Sequence, residues 1–210
     1  MSATMALAQP PRNESAGDAP VKVPVKAPPK SQKVDAQPVV KTSLKDGTSV
    51  KFSGGDEIPL GDFGRPIPLI AGALGVPQDV FRQAFSGVTP ARGGGPTGEQ
   101  ARANKAALMK VLAPHGVSND RLDAVSNYYR FNPGRGETWP RTPAAATVQV
   151  KDGMITGFKI TSAGSGYSVP PKVTLPGHED LSIEATIEFG KDLKTNGRVK
   201  SLKIAENVAN

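Results

Sequence analysis

The side chains best suited to hold a ligand crowd together past the middle of the chain, where Tyr128, Tyr129, Phe131 and Trp139 alternate with Arg130, Arg135 and Arg141. Aromatic faces stack on sugars or bases, and guanidinium groups hold carboxylates or phosphates through paired N–H donors. Tyr167 is a further candidate, because the run Gly164-Ser165-Gly166-Tyr167 can hold a ring out of a loop. The candidate ligand-binding set is therefore Tyr128, Tyr129, Arg130, Trp139 and Tyr167. Packing competes for the same rings. With one Trp, three Tyr and seven Phe in the chain, a small core needs several of them.

Other site chemistries find little support. The absence of Cys removes disulfides, thiolate nucleophiles and cysteine-ligated metals. His115 and His178 are the only histidines, and neither has a second ligand-type residue at a spacing that builds a metal site on one element, so His178-Glu179-Asp180 reads as a solvated turn. Gly93-Gly94-Gly95-Pro96-Thr97-Gly98 opens a helix as a phosphate cradle would. Glu99-Gln100 follow, however, where Lys and Ser or Thr are needed. No serine lies in a Gly-x-Ser-x-Gly elbow. Carboxylates brought together only by folding stay open, since glycosidase acids have no set spacing. The expectation is a protein with no catalytic residue, metal or cofactor.

The chain has 210 residues, of which 37% are hydrophobic, enough for one or two small domains. Its formal charge of +7 suggests an anionic partner at first, but residues 1–45 carry seven Lys or Arg against three acids, and the remainder nineteen against sixteen. Nucleic acid is therefore disfavoured relative to a protein or cell-surface glycan partner. No apolar run reaches the length of a membrane helix. Ala6-Leu7-Ala8 has the small-x-small pattern of a signal-peptidase site without the basic start and apolar run that normally precede it. This points to export to the periplasm, cell envelope or exterior, with a cytoplasmic location as the alternative.

The elements that must position these residues fall into three parts. Residues 1–45 comprise a signal remnant and a Pro/Lys-rich linker, too polar to offset the entropy of ordering and barred from helix by Pro24, Pro28 and Pro29. Residues 46–139 form a mainly helical domain. Asp46-Gly47 gives a weak hairpin signal between Ser43-Leu44 and Ser49 to Phe52. Between Pro66 and Phe131 three helical segments are predicted. Pro77 opens the first, with Val80, Phe81, Ala84 and Phe85 on one face. Thr97 and Gln100 form a capping box for the second, which runs to Leu112, and Ser118 or Asn119 caps the third, which presents Leu122, Val125, Tyr128 and Tyr129. Two helices are preceded by Gly-Val, at Gly75-Val76 and Gly116-Val117, where a left-handed glycine would end the helix before. A domain boundary is expected between Trp139 and Ala144.

From Ala144 to Asn210 the pattern changes to period two and contains a duplication. Ala146 to Val150 matches Ala185 to Phe189, and Gly153 to Ile160 matches Gly197 to Ile204, with five extra residues in the second turn. Asp152-Gly153 and Asn196-Gly197 are two-residue hairpin dipeptides, and a phase change in each copy predicts bulges near Gly157 and Ser201. Lys172 to Leu175, after Pro170-Pro171, reads as an edge strand. The predicted fold class is α+β: a disordered linker, a small helical domain, and an antiparallel β-module of two duplicated hairpins.

Thr161 through Thr174, with Asp152-Gly153 and Ile155 to Ile160 before it, resembles the Gly-Ser-Gly-Tyr/Pro-Pro hairpin repeats of secreted bacterial surface proteins and of phage tail-fibre or adhesin-type proteins. The helical part, including Asn127 to Arg130 and Gly136 to Trp139, is similar to uncharacterised exported bacterial proteins. The resemblance implies a structural or adhesive module with no shared catalytic site. The expected function is a non-catalytic exported structural or binding component. A carbohydrate-associated enzyme or module using Trp139, Tyr128 and Tyr129, and a nucleic-acid binder, are the alternatives.

Overall fold

The computed structural model describes residues 40–91 and 95–205. The expected export signal and most of the linker lie outside these residues, as do Gly93 and Gly94 of the glycine run. Chain order within the described part begins earlier than the expected limit at residue 45. Strand β1 (Val40–Lys41) already pairs with the β-module, through Val40 opposite Ile155.

The fold is α+β, with four α-helices and two antiparallel sheets among the described residues. The helices are α1 (Ile67–Leu74), α2 (Gln78–Ser86), α3 (Gly98–Leu112) and α4 (Asn119–Tyr128). Helix α1 adds to the three predicted segments. It is apolar on nearly all sides, with every residue except Gly72 buried, and therefore shows no amphipathic period to read. Phe81 and Ala84 of α2, Leu112 of α3, and Leu122 and Val125 of α4 are buried in one core with α1, and Val80, Phe85, Leu108 and Tyr128 pack partly buried against it.

Local punctuation explains where these helices begin and end. Gly75 and Gly116 are both left-handed, at φ 74° and 79°, and the valine after each donates back to the preceding turn, Val76 to Ala71 O and Val117 to Leu112 O. Ser118, not Asn119, caps α4 through Oγ accepting from Arg121 N at 3.1 Å. Thr97 caps α3 by accepting from Gln100 N, but the capping box is only half made. The Gln100 amide instead donates to the carbonyls of Thr89 and Pro90, tying α3 to the end of α2's connection.

The remaining strands are β2 (Lys51–Ser53), β3 (Ala145–Lys151), β4 (Met154–Ser162), β5 (Lys172–Leu175), β6 (His178–Glu188) and β7 (Arg198–Ile204). One sheet has the order β1-β4-β3 and the other β2-β5-β6-β7. The two copies of the duplication thus go to different sheets, and Val148 and Ile155 of one meet Ala185 and Val199 of the other in a shared core. Both predicted bulges are present at matching positions. Gln149 pairs with Gly157 and Val150 with Ile155, leaving Thr156 as the extra residue, while Thr186 pairs with Ser201 and Ile187 with Val199, leaving Lys200.

Three local expectations require correction. No hairpin forms about Asp46-Gly47, because its flanks are captured by different partners: β1 joins β4, Ser49 bridges Thr147, and β2 joins β5. For the same reason β5 is not an edge strand, since β2 covers it with Lys51 opposite Thr174. Asp152 and Gly153, at φ 52° and 70°, form the expected tight turn, but only Gly197 of the second dipeptide has positive φ. The extra residues of that copy make an excursion from Glu188 to Arg198 that enters the helical part, where Phe189 and Leu193 pack on its core.

That excursion joins the two halves. Asn196 is buried, donates from Nδ2 to Leu69 O at 2.7 Å and to Tyr129 Oη at 2.8 Å, and accepts at Oδ1 from Gly190 N. Arg121 donates to Ala73 O and to Lys191 O from the same guanidinium. Helix α1 approaches so closely here that a Cβ on Gly72 would lie 2.6 Å from Phe189 Cβ. Helices and sheets accordingly belong to one compact unit that includes all the described residues, with one apolar cluster among the helices and another between the sheets.

Candidate functional site

Most of the aromatic residues singled out from the sequence serve the junction. Trp139 is buried, stands edge-on to Phe131 at 5.4 Å, and donates from Nε1 to Gly166 O at 2.8 Å. Tyr167 is buried, with its hydroxyl accepting from Ala144 N at 2.8 Å and the Arg141 guanidinium 5.7 Å from its ring centre. Arg141 in turn pairs with Asp56 at 2.8 Å. Tyr129 is buried against Asn196, and loss of solvent around its hydroxyl pushes the pKa up to about 12 despite that hydrogen bond. Tyr128 is half-buried and edge-on to Tyr129. Trp139 and Tyr167 thus offer no free stacking face, and the five candidates do not converge on one surface.

Arg130 is the exception, because it is exposed and borders a cleft in the helical part. The cleft has an open portion of about 900 Å3, bounded by Phe63, Arg65, Asn127, Arg130, Phe131 and Glu137 among others. A second, more apolar pocket of about 350 Å3 lies among α1, α2, α3 and α4 and is lined by Ile70, Phe81, Phe85, Leu108 and Tyr129. Arg65, Arg130 and Phe131 line both, so the apolar pocket opens beside the two arginines.

Two loops build this mouth. After α4 the chain is closed on itself: Asn132 Oδ1 accepts from Gly134 N, and Glu137 Oε2 accepts from Asn132 N. On the other side, the loop Pro59 to Arg65 is pinned from beneath. Asp62 is 1% exposed and accepts from Arg82 Nε of α2 at 2.7 Å, while its other oxygen has no hydrogen-bond partner. Burial of a carboxylate in a loop is justified only by such a clamp. Pinning Asp62 turns its neighbours outward. Leu60 is fully exposed and Phe63 is 58% exposed, with Phe63 in the left-handed region at φ 53° and its ring 5.8 Å from Phe85. A left-handed backbone at a bulky residue costs about 1–2 kcal/mol, so the tertiary clamp must hold it.

Among the described residues, the charged groups that line the cleft are Arg65, Arg130 and Glu137, a net of one positive charge. Arg65 lies 5.9 Å from the centre of the Phe131 ring, and neither Arg65 nor Arg130 has an ion-pair partner among the described residues. The sequence reading missed Arg65 and Phe63. The signal for Phe63 was an aromatic standing in a Gly/Asp/Pro turn with no strand or helix period to bury it.

His178-Glu179-Asp180 is not the expected turn but the start of β6, the turn falling just before it at Pro176-Gly177. His178 opens β6, and its Nε2 lies 2.8 Å from Thr42 Oγ1, next to β1. Glu179 accepts from Gly177 N, which holds its carboxyl below the ordinary range. Among the described residues, no three His, Asp or Glu side chains are grouped to hold a metal ion. No helix of the described part is long and apolar enough to cross a membrane. Comparison with protein-family models, with curated proteins and with solved structures finds no match to this chain.

Proposed function

We propose that the chain is a non-catalytic binding component that works outside the cytoplasm and recognises an acidic ligand through the cleft of its helical part. One observation carries this reading: two guanidinium groups, neither with an ion-pair partner among the described residues, stand with the exposed Phe63 beside an apolar pocket. An exposed aromatic ring beside two arginines offers apolar and charged contact together, and guanidinium groups favour carboxylate or phosphate partners. The β-module, like the hairpin repeats it resembles, then serves as the rigid support. The carbohydrate alternative relied on the face of Trp139, which is occupied by packing, and it loses its main support.

The test compares the full chain with the double charge reversal R65E/R130E for binding to poly-L-glutamate at about 0.15 M salt. The reversal K151E/K172E on the sheets changes the net charge by the same amount, so the difference between the two double variants reports the cleft. The expected result is at least about a tenfold loss, about 1.4 kcal/mol, with unchanged Trp139 emission and thermal midpoint. Equal binding by the two double variants refutes the reading. Fractionation of the native host that finds an uncleaved cytoplasmic protein refutes the export part alone.

A further inference from the structure

We infer that the ligand is a short acidic peptide segment of a partner protein, anchored by one large apolar side chain. This rests on the cleft reading above and specifies its occupant. The two cavities are not equivalent. The apolar one is at the small end of the roughly 300–1,000 Å3 range of ligand pockets and suits one side chain, not a whole ligand. The open one is exposed to water and lined by arginine, asparagine and phenylalanine, as a stretch of main chain with acidic side chains would require. Because Arg65, Arg130 and Phe131 line both, an anchor seated among Phe81, Phe85 and Leu108 brings the residues flanking it against the two guanidinium groups.

Carboxylates match a guanidinium fork through two parallel N–H donors, and truncating an aromatic anchor in a pocket removes much of an interface's energy. Asn127 lines the open part, where its amide can serve a peptide main chain. Phe63, on the loop held by the Asp62–Arg82 pair, supplies apolar contact at the rim. A continuous polyanion such as nucleic acid fits less well. Its affinity comes from a row of cations along the backbone, whereas among the described residues two arginines line this cleft and Glu137 lines it with them.

Panning a randomised heptapeptide display library on the full-length protein tests this. The expected pool is enriched about tenfold or more in peptides with Asp or Glu within two positions of a single Trp, Phe or Leu. That enrichment should vanish against R65E/R130E, and alanine at the anchor of a selected peptide should weaken binding about tenfold. A pool that is acidic without an anchor, or apolar without acids, overturns the inference. So does a pool unchanged by the double variant, or no enrichment. If poly-L-glutamate binding still depends on Arg65 and Arg130 in any of those cases, the cleft reading survives and only the peptide assignment falls. Loss of the arginine dependence itself removes both.

Discussion

Replacing Asn196 with Ala removes three hydrogen bonds at the point where helix α1, helix α4 and the β6–β7 connection meet. The partners left behind are Leu69 O, Tyr129 Oη and Gly190 N, and the Asn196 side chain is itself almost fully buried. A hydrogen bond contributes a net ~0.5–1.5 kcal/mol, and a buried group left without a partner costs ~1–3 kcal/mol. Gly190 is only half-buried and water can reach part of its lost bond, so the total loss is about 3–4 kcal/mol. For a unit of this size that lowers the thermal midpoint by roughly 10 °C. Tyr129→Phe keeps the ring and removes a single bond, for about 1 kcal/mol. Urea unfolding followed by Trp139 emission measures both, because the only tryptophan sits at this junction. In the double variant the two losses should fall short of additive by about 1 kcal/mol, the shared bond being counted once. A cost below about 1 kcal/mol for Asn196→Ala, or strict additivity, would refute the view that this side chain joins the halves.

Further outcomes follow from the same geometry. Tyr167→Phe leaves the buried N–H of Ala144 without an acceptor and should cost about 1–3 kcal/mol in urea unfolding, with poly-L-glutamate binding unchanged. Gly153→Ala, at φ 70° in the β3–β4 turn, should cost about 1 kcal/mol, measured by thermal melting, whereas the same change at Gly190, which has a free Cβ direction and no positive φ, should cost less. Tyr129 is raised from 10.0 to about 12, so the folded protein keeps its phenolic proton after the unfolded chain has lost it. Its contribution is therefore complete below pH 10 and lost as the pH rises toward 12. Ultraviolet titration of wild type minus Tyr129→Phe should isolate that late component, and a midpoint near 10 would contradict the burial argument.

The parts of the fold legible in the sequence were those determined by neighbours along the chain. The glycine–valine helix ends, the Ser118 and Thr97 caps, the Asp152-Gly153 turn and the paired bulges follow from backbone conformations and short-range bonds that those residues favour. Helix α1 was hidden because a segment buried on all sides has no polar face to set a period. Asn196 read as a turn residue, since nothing local reveals that the longer connection enters a helical core.

The candidate site divides in the same way. By itself, the sequence determined an α+β chain, a concentration of positive charge in residues 1–45, a duplicated hairpin and a central group of arginines and aromatic rings. Which rings remained available was a tertiary decision. Trp139, Tyr129 and Tyr167 were drawn inward because the interface between helices and sheets offered each both apolar contact and a partner for its polar atom. Arg130 was left outside, and Arg65 and Phe63 were brought beside it from more than sixty residues away along the chain by the loop that the buried Asp62 ties to Arg82. Burial is a competition among all the apolar groups for one interior, and only the packed chain decides which of them lose it.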